Sequence, residues 1–246
     1  MICYERYRAC SVTCISNFPR ETRSARVCQI LCVFFFASVD ELVNWLAHIF
    51  ISDSSIDYQL GNLLADPLKG RCWRGASRQL KDGFRMHASI DAFTDANAFF
   101  MRSKSRLGRK GYLRGVIIDI AYDHCLIRNW GCYSKVGLES FVNTFHENAS
   151  AAVEDYPDDA RLFVKRLIDH RVLASYGTFS GLETAFQRLD YRLSARMLAR
   201  ESALDYLPVL KREMVGIEED FVQFFPLLVE HFRSQLKAPL KDHWLK

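Results

Sequence analysis

The sequence predicts an all-α fold, and three observations carry that prediction. The first is a stripe near the C-terminus: Leu207, Leu210, Met214, Ile217, Phe221, Phe224 and Leu228 step alternately by three and four, which lays one apolar line along a helix. The second is composition. Hydrophobic residues make up 49% of the 246 and aromatics 13%, which rules out disorder for most of the chain and provides for a packed core. The third is the scarcity of strand patterning, since only Val116–Ile118 reads as a short β segment.

Taken in order, the body reads as a run of helices from Asn44 onward. Asp53 and Ser54 are cap candidates for a helix carrying Ile56, Leu60, Leu63 and Leu64, which Pro67 and Gly70 end. Gln79–Ala98 is free of proline and spaces Leu80, Phe84, Ile90 and Phe93 by mixed threes and fours. Leu113–Trp130 is a long apolar run interrupted by Asp119, Asp123 and His124. Gly137–Asp155 and Asp158–Tyr176 read as two further helices, with Pro157 suited to the first turn of the second. Beyond Pro226 the chain turns basic through Arg233, Lys237, Lys241 and Lys246, and residues 233–246 are expected to fray as a tail. Residues 43–232 would form one helical domain.

The charge balance excludes some partners. Lys plus Arg total 33 against 29 acids, a net +4 too mild to argue for nucleic acid. No apolar stretch reaches the ~18 residues of a membrane span. Five of the eight cysteines (Cys3, Cys10, Cys14, Cys28 and Cys32) precede residue 43, so the body reads as a reduced, cytoplasmic protein and not as a disulfide framework. The spacing of Cys10 and Cys14 does not match a zinc knuckle. Residues 1–42 are atypical: Arg20, Arg23 and Arg26 precede the apolar Val27–Val39, a pattern that also resembles a secretory signal.

Chemistry is suggested by polar residues set into apolar helices. His87 and Asp91 are four apart, as are Asp91 and Asp95, so all three can share a helical face. Asp119 and Asp123 repeat that spacing, with His124 adjacent. Carboxylates gathered in a low-dielectric interior repel and take up protons, and a divalent cation removes that repulsion by using the same lone pairs. Imidazole with carboxylate suits Mn²⁺, Fe²⁺ or Zn²⁺, while carboxylate with water also suits Mg²⁺. The spacing therefore points to a metal site built from His87, Asp91, Asp123 and His124. His146 and His170 read as structural or surface histidines, Asp53 and Asp57 as caps or solvated acids, and Asp95 as a possible cap of the following helix.

Four segments together resemble the acyl-carrier-protein phosphodiesterase family. They are Asn44-Trp45-Leu46-Ala47-His48; Gly61-Asn62-Leu63-Leu64-Ala65-Asp66; Met86-His87 with Ile90-Asp91 and Thr94-Asp95; and Asp119 with Asp123-His124. Phe221, Phe224-Phe225-Pro226 and Leu228 are similar to the family's terminal helix, so the likeness runs from Val43 to about His231. It implies a distorted HD-domain metallohydrolase fold. The implied reaction is hydrolysis of the phosphodiester joining 4′-phosphopantetheine to a serine of holo-acyl carrier protein, with Mn²⁺ favoured and Mg²⁺ or Fe²⁺ as alternatives. Carried over by position, the ligands would be His48, Asp66, His87, Asp91, Asp123 and His124. Asp123, His124 and Asp66 would act in catalysis, and Asn62, Lys69 and Arg71 would contact substrate. Family members begin with Met where this chain has Val43, which marks residues 1–42 as upstream sequence from a misplaced start. The chain departs from the family at Ala88-Ser89, where a basic pair is common, and at Arg85, where a histidine is common. Arg102, Lys104, Arg106, Arg109 and Lys110 form the densest basic run and are the candidate docking patch for an acidic carrier protein. Two rival readings are an HD-like phosphohydrolase of nucleotides or other small phosphodiesters, and a helical interaction protein with a structural ion.

Overall fold

The computed structural model describes residues 45–233 and 235–236, and every regular element among them is helical. The N-terminal extension, Ser234 and the tail beyond Leu236 lie outside the described residues. The helices are α1 (Trp45–Ile51), α2 (Ile56–Leu64), α3 (Arg78–Ala96), α4 (Ala98–Arg106), α5 (Arg114–Arg128), α6 (Leu138–Ala152), α7 (Asp158–Asp169), α8 (Val172–Ser175), α9 (Phe179–Arg192), α10 (Ala195–Leu198) and α11 (Leu207–Arg233). Single 3₁₀ turns at Trp130–Cys132, Val153–Asp155 and Leu204–Tyr206 join them. No helix among the described residues is long and apolar enough to cross a membrane. Val116–Ile118, expected as a strand, lies inside α5.

Local chemistry sets the boundaries that matter for the site. Ser77 Oγ accepts from the Leu80 N–H at 3.1 Å and starts α3. Asn97 adopts extended backbone, ends α3 and caps α4 by accepting from the Phe99 N–H at 2.9 Å. Ser55 stands at the cap of α2, not Asp53 or Ser54, and its side chain makes no capping bond. The expected single helix over 158–176 breaks at Arg171, whose left-handed φ of 46° closes α7 and turns the chain into α8.

The terminal helix runs further than its sequence suggests. α11 continues through Pro226 to Arg233, although a proline removes a backbone donor and crowds the preceding turn. Phe225, Leu228, Val229 and Phe232 on either side of Pro226 are all buried, while Val222, one turn before it, is 40% exposed. Burial of four large side chains outweighs one lost hydrogen bond on the outer side. The inner face of α11 meets α5 where Phe221 and Phe224 pack on Tyr122, which in turn packs on Phe100 of α4. Asp220, fully buried on the same helix, accepts from Arg102, from Ser103 Oγ at 2.9 Å and from Arg106 Nε at 3.0 Å. Two of the five residues expected in the docking patch are thus ion-paired within the fold.

The close crossing of α2 and α3 positions the site. A Cβ on Gly61 would lie 2.1 Å from the Leu80 carbonyl oxygen, and one on Gly83 would lie 2.2 Å from that of Tyr58. Both obstacles are backbone, so neither can swing aside. Gly→Ala in an open helix gains about 1 kcal/mol from propensity. Here the clash reverses the sign, and Gly83→Ala is expected to destabilise the protein by roughly 3 kcal/mol. Urea unfolding measures it; a midpoint equal to wild type would show that the helices do not pack this tightly.

Candidate metal centre

Every residue of α1 is buried, and its N-terminus is fixed by Asp123 of α5. The two carboxylate oxygens accept from the Leu46 and Ala47 N–H groups, both at 3.0 Å. Burial pushes Asp123 up to about 7, against the pull of those two bonds. One turn on, α1 presents His48 with no exposed surface.

The orientation of His48 follows from its neighbours. Asn62 donates through Nδ2 to the His48 carbonyl oxygen (3.0 Å) and to Ser52 Oγ (2.8 Å), which fixes its amide orientation because a carbonyl can only accept. Asn62 Oδ1 then faces His48 Nδ1 at 2.7 Å and can only accept, so Nδ1 carries a proton. In the neutral ring Nε2 is therefore a bare lone pair. It is buried, has no hydrogen-bond partner, and sits 3.4 Å from Asp91 Oδ1. Asn62 was expected to contact substrate; it is fully buried and orients His48 instead.

α3 brings up the other groups. His87 stacks on His48 with ring centroids 4.3 Å apart and planes at 25°. Its Nε2 lies 2.8 Å from Asp66 Oδ1 and 3.1 Å from Asp91 Oδ2. Burial disfavours charge on His87, but the bonds to Asp66 and Asp91 outweigh it and raise the imidazole to about 10. Asp91 shows the converse: burial would raise it, yet the two histidines hold it well below the usual carboxylate range.

His48, His87 and Asp91 form the one group among the described residues with metal-ligand atoms all within 4.8 Å of one another. Ligand atoms bonded at about 2.1 Å stand about 3.0 Å apart in an octahedron and about 3.4 Å in a tetrahedron. His87 Nε2 stands 3.1 Å from Asp91 Oδ2 and His48 Nε2 3.4 Å from Asp91 Oδ1, separations in that range. A divalent cation fits this donor set.

Asp91 of this group, with Asp66, edges a cleft of about 280 Å³ whose lining also includes Thr94, Asp95, Tyr112 and Asp119. Burial, then the carboxylates of Asp91 and Asp95, pushes Asp119 well above its ordinary value. Thr94 Oγ1 is buried without a hydrogen-bond partner. Asp95, expected as a possible cap, lines the cleft and leaves the capping to Asn97.

The six ligands implied by the resemblance do not all meet. His48, His87 and Asp91 converge, with Asp66 against His87. Asp123 is committed to the α1 backbone, and His124 lies outside the 4.8 Å group, its Nδ1 2.6 Å from the Tyr176 carbonyl oxygen, its ring against Phe179 and its Nε2 buried without a hydrogen bond. Lys69 and Arg71 are exposed in the turn after α2, Lys69 with a left-handed φ of 52°, and neither lines the cleft. Tyr112 escaped notice because an exposed aromatic in a loop looks ordinary in sequence.

The sequence model of the acyl carrier protein phosphodiesterase family matches residues 43–228. Curated relatives with that name include a protein of Enterobacter sp. (strain 638), 26% identical over 203 residues that cover 79% of this chain and 100% of that one. Others are from Salmonella agona (strain SL483) and Escherichia coli O6:K15:H31 (strain 536 / UPEC), each 24% identical and covering 76% of this chain and 96% of theirs. No solved structure matches the chain.

Proposed function

The chain belongs to the acyl carrier protein phosphodiesterase family, and from that premise we propose that it releases 4′-phosphopantetheine from holo-acyl carrier protein, using a divalent cation held by His48, His87 and Asp91. The observation that carries the reading is the buried Nε2 of His48, without a hydrogen bond and in a tautomer fixed by Asn62, grouped with His87 and Asp91 so that their ligand atoms lie within 4.8 Å of one another. Mn²⁺ is the favoured ion; when bound, it would acidify water and polarise a phosphoryl oxygen.

The chain's own groups would then do the following. Asp123 and Asn62 hold α1 and the His48 ring, so the ligand Nε2 keeps its direction. Asp66, 19% exposed beside His87, can take the proton of the attacking water. Burial and the neighbouring carboxylates push Asp119 upward, which suits it to protonate the leaving serine oxygen. In this reading Asp66 keeps its expected catalytic part, and Asp119 takes one expected of Asp123 and His124.

The test is incubation of the full chain with holo-acyl carrier protein and Mn²⁺, followed by mass. The expected result is conversion to apo carrier protein with free 4′-phosphopantetheine. An unchanged mass with Mn²⁺, Mg²⁺ and Fe²⁺ in turn, or turnover of nucleotides in preference to carrier protein, would overturn the reading.

A further inference from the structure

The metal-binding cleft has room for the reacting phosphoryl group but not for a whole prosthetic arm. Its roughly 280 Å³ must hold a phosphoryl group, a cation and their waters, each water occupying about 30 Å³. A second groove of about 470 Å³ shares Tyr112 with this cleft as a lining residue. That volume falls in the range that takes drug-sized ligands. The geometry points to this second groove as the seat of the pantetheine arm, with Tyr112 as the specificity-determining wall between arm and phosphoryl group. The inference rests on the phosphodiesterase reading above.

Three observations support it. The first is construction. Tyr112 is 76% exposed, yet its backbone is anchored. The Tyr112 and Leu113 N–H groups donate to the two oxygens of Glu201 at 2.7 and 2.9 Å, and Tyr206 Oη donates to the same carboxylate at 2.5 Å. Gly111, at φ 140°, lets the loop pass so close that a Cβ there would lie 2.0 Å from Tyr206 Oη. An exposed aromatic on a fixed backbone is a pre-organised contact surface, with little ordering left to do on binding.

The second is charge. Lys110 and Arg200 line the groove together with Glu201 and Asp205, so the formal charge of its lining cancels. The arm is itself uncharged between its phosphate and its thiol. An anionic nucleotide tail would gain nothing from such walls. The third is polarity: Leu107, Tyr206 and Val209 offer apolar surface to the arm's methyl groups, while the side chains of Lys110 and Arg200 can donate to its amide carbonyls. The phosphorus would then sit in the carboxylate-lined cleft with the serine and its carrier protein outside.

The experiment uses the full chain with Tyr112→Ala and, to fill the groove, Val209→Trp. Three quantities are read: kcat/KM for holo-acyl carrier protein, kcat/KM for bis(p-nitrophenyl) phosphate, which has no arm, and calorimetric binding of unphosphorylated pantetheine. For each variant the ratio of the two kcat/KM values is expected to fall at least tenfold, chiefly through KM for the carrier protein. Pantetheine should bind wild type saturably and Val209→Trp at least tenfold more weakly. Equal losses on both substrates, or no saturable pantetheine binding by wild type, would overturn the assignment while wild-type hydrolysis of holo carrier protein left the phosphodiesterase reading standing. If wild type releases no prosthetic group, that reading fails and the pantetheine titration alone decides the groove.

Discussion

His87→Ala is expected to lower kcat/KM for holo-acyl carrier protein by about 10³-fold or more, which is about 4 kcal/mol of transition-state stabilisation. The reason is convergence: His87 Nε2 is the atom that lies within 3.1 Å of both Asp66 and Asp91, so its loss removes one ligand and unties two carboxylates. His48→Ala should match it, because it too removes a ligand, one whose ring Asn62 holds in place. Asn62→Ala should cost less, about 10- to 100-fold in cation affinity, as expected when a ligand keeps its lone pair but loses its orientation. Calorimetric titration with Mn²⁺ and turnover, measured on the same samples, check the series. A structural ion would give the opposite pattern, with melting temperature falling across the three variants and no turnover to lose. Equal effects of Asn62→Ala and His87→Ala would also count against a ligand-and-support arrangement.

How far the sequence reveals this site depends on which helix is read. α3 has a polar outer side and an apolar inner one, so the spacing of His87 and Asp91 already puts both on one face, and the structure keeps them together. α5 is different. Ile117, Ile118, Ile120 and every residue from Ala121 to Leu126 are buried, so its periodicity marks no preferred side. Nothing local then says that Asp119 faces the cleft, that Asp123 faces the start of α1 and that His124 faces α9. Those directions are decided by what packs around the helix. The crossing at Gly61 and Gly83 is hidden for a similar reason: each glycine looks like a weak spot in a helix until the second backbone lies against it. α11 is the converse case, where the apolar stripe is plain and the proline misleads, because packing beyond Pro226 overrides a local breaker.

Cation affinity is expected to rise about tenfold per pH unit from pH 6 to 8, with one proton released for each ion bound. A free imidazole titrates near pH 6.5 and would give a flat profile above it. In the cation-free protein burial opposes charge on His87, but Asp66 and Asp91 raise it to about 10, so the ring still carries its proton at pH 8. An incoming ion needs the lone pair that this proton occupies, and displacing it couples affinity to pH throughout the range. Folding stability of the cation-free protein should carry the matching signature. The contribution of His87 is fully present below about pH 6.5 and is lost as pH rises towards 10. That of Asp91, whose folded value is depressed, is present above about pH 3.9 and is lost on acidification. Asp123 runs against the usual carboxylate, since a folded value near 7 means its contribution falls as pH rises from about 4 to 7 and is constant above that. Mn²⁺ calorimetry at pH 6, 7 and 8, in buffers of different ionisation enthalpy, reads both the affinity and the proton count. A constant affinity with no proton released would mean that His87 is neutral before the ion arrives, and its bonds to Asp66 and Asp91 would then have to be weaker than their 2.8 and 3.1 Å lengths imply.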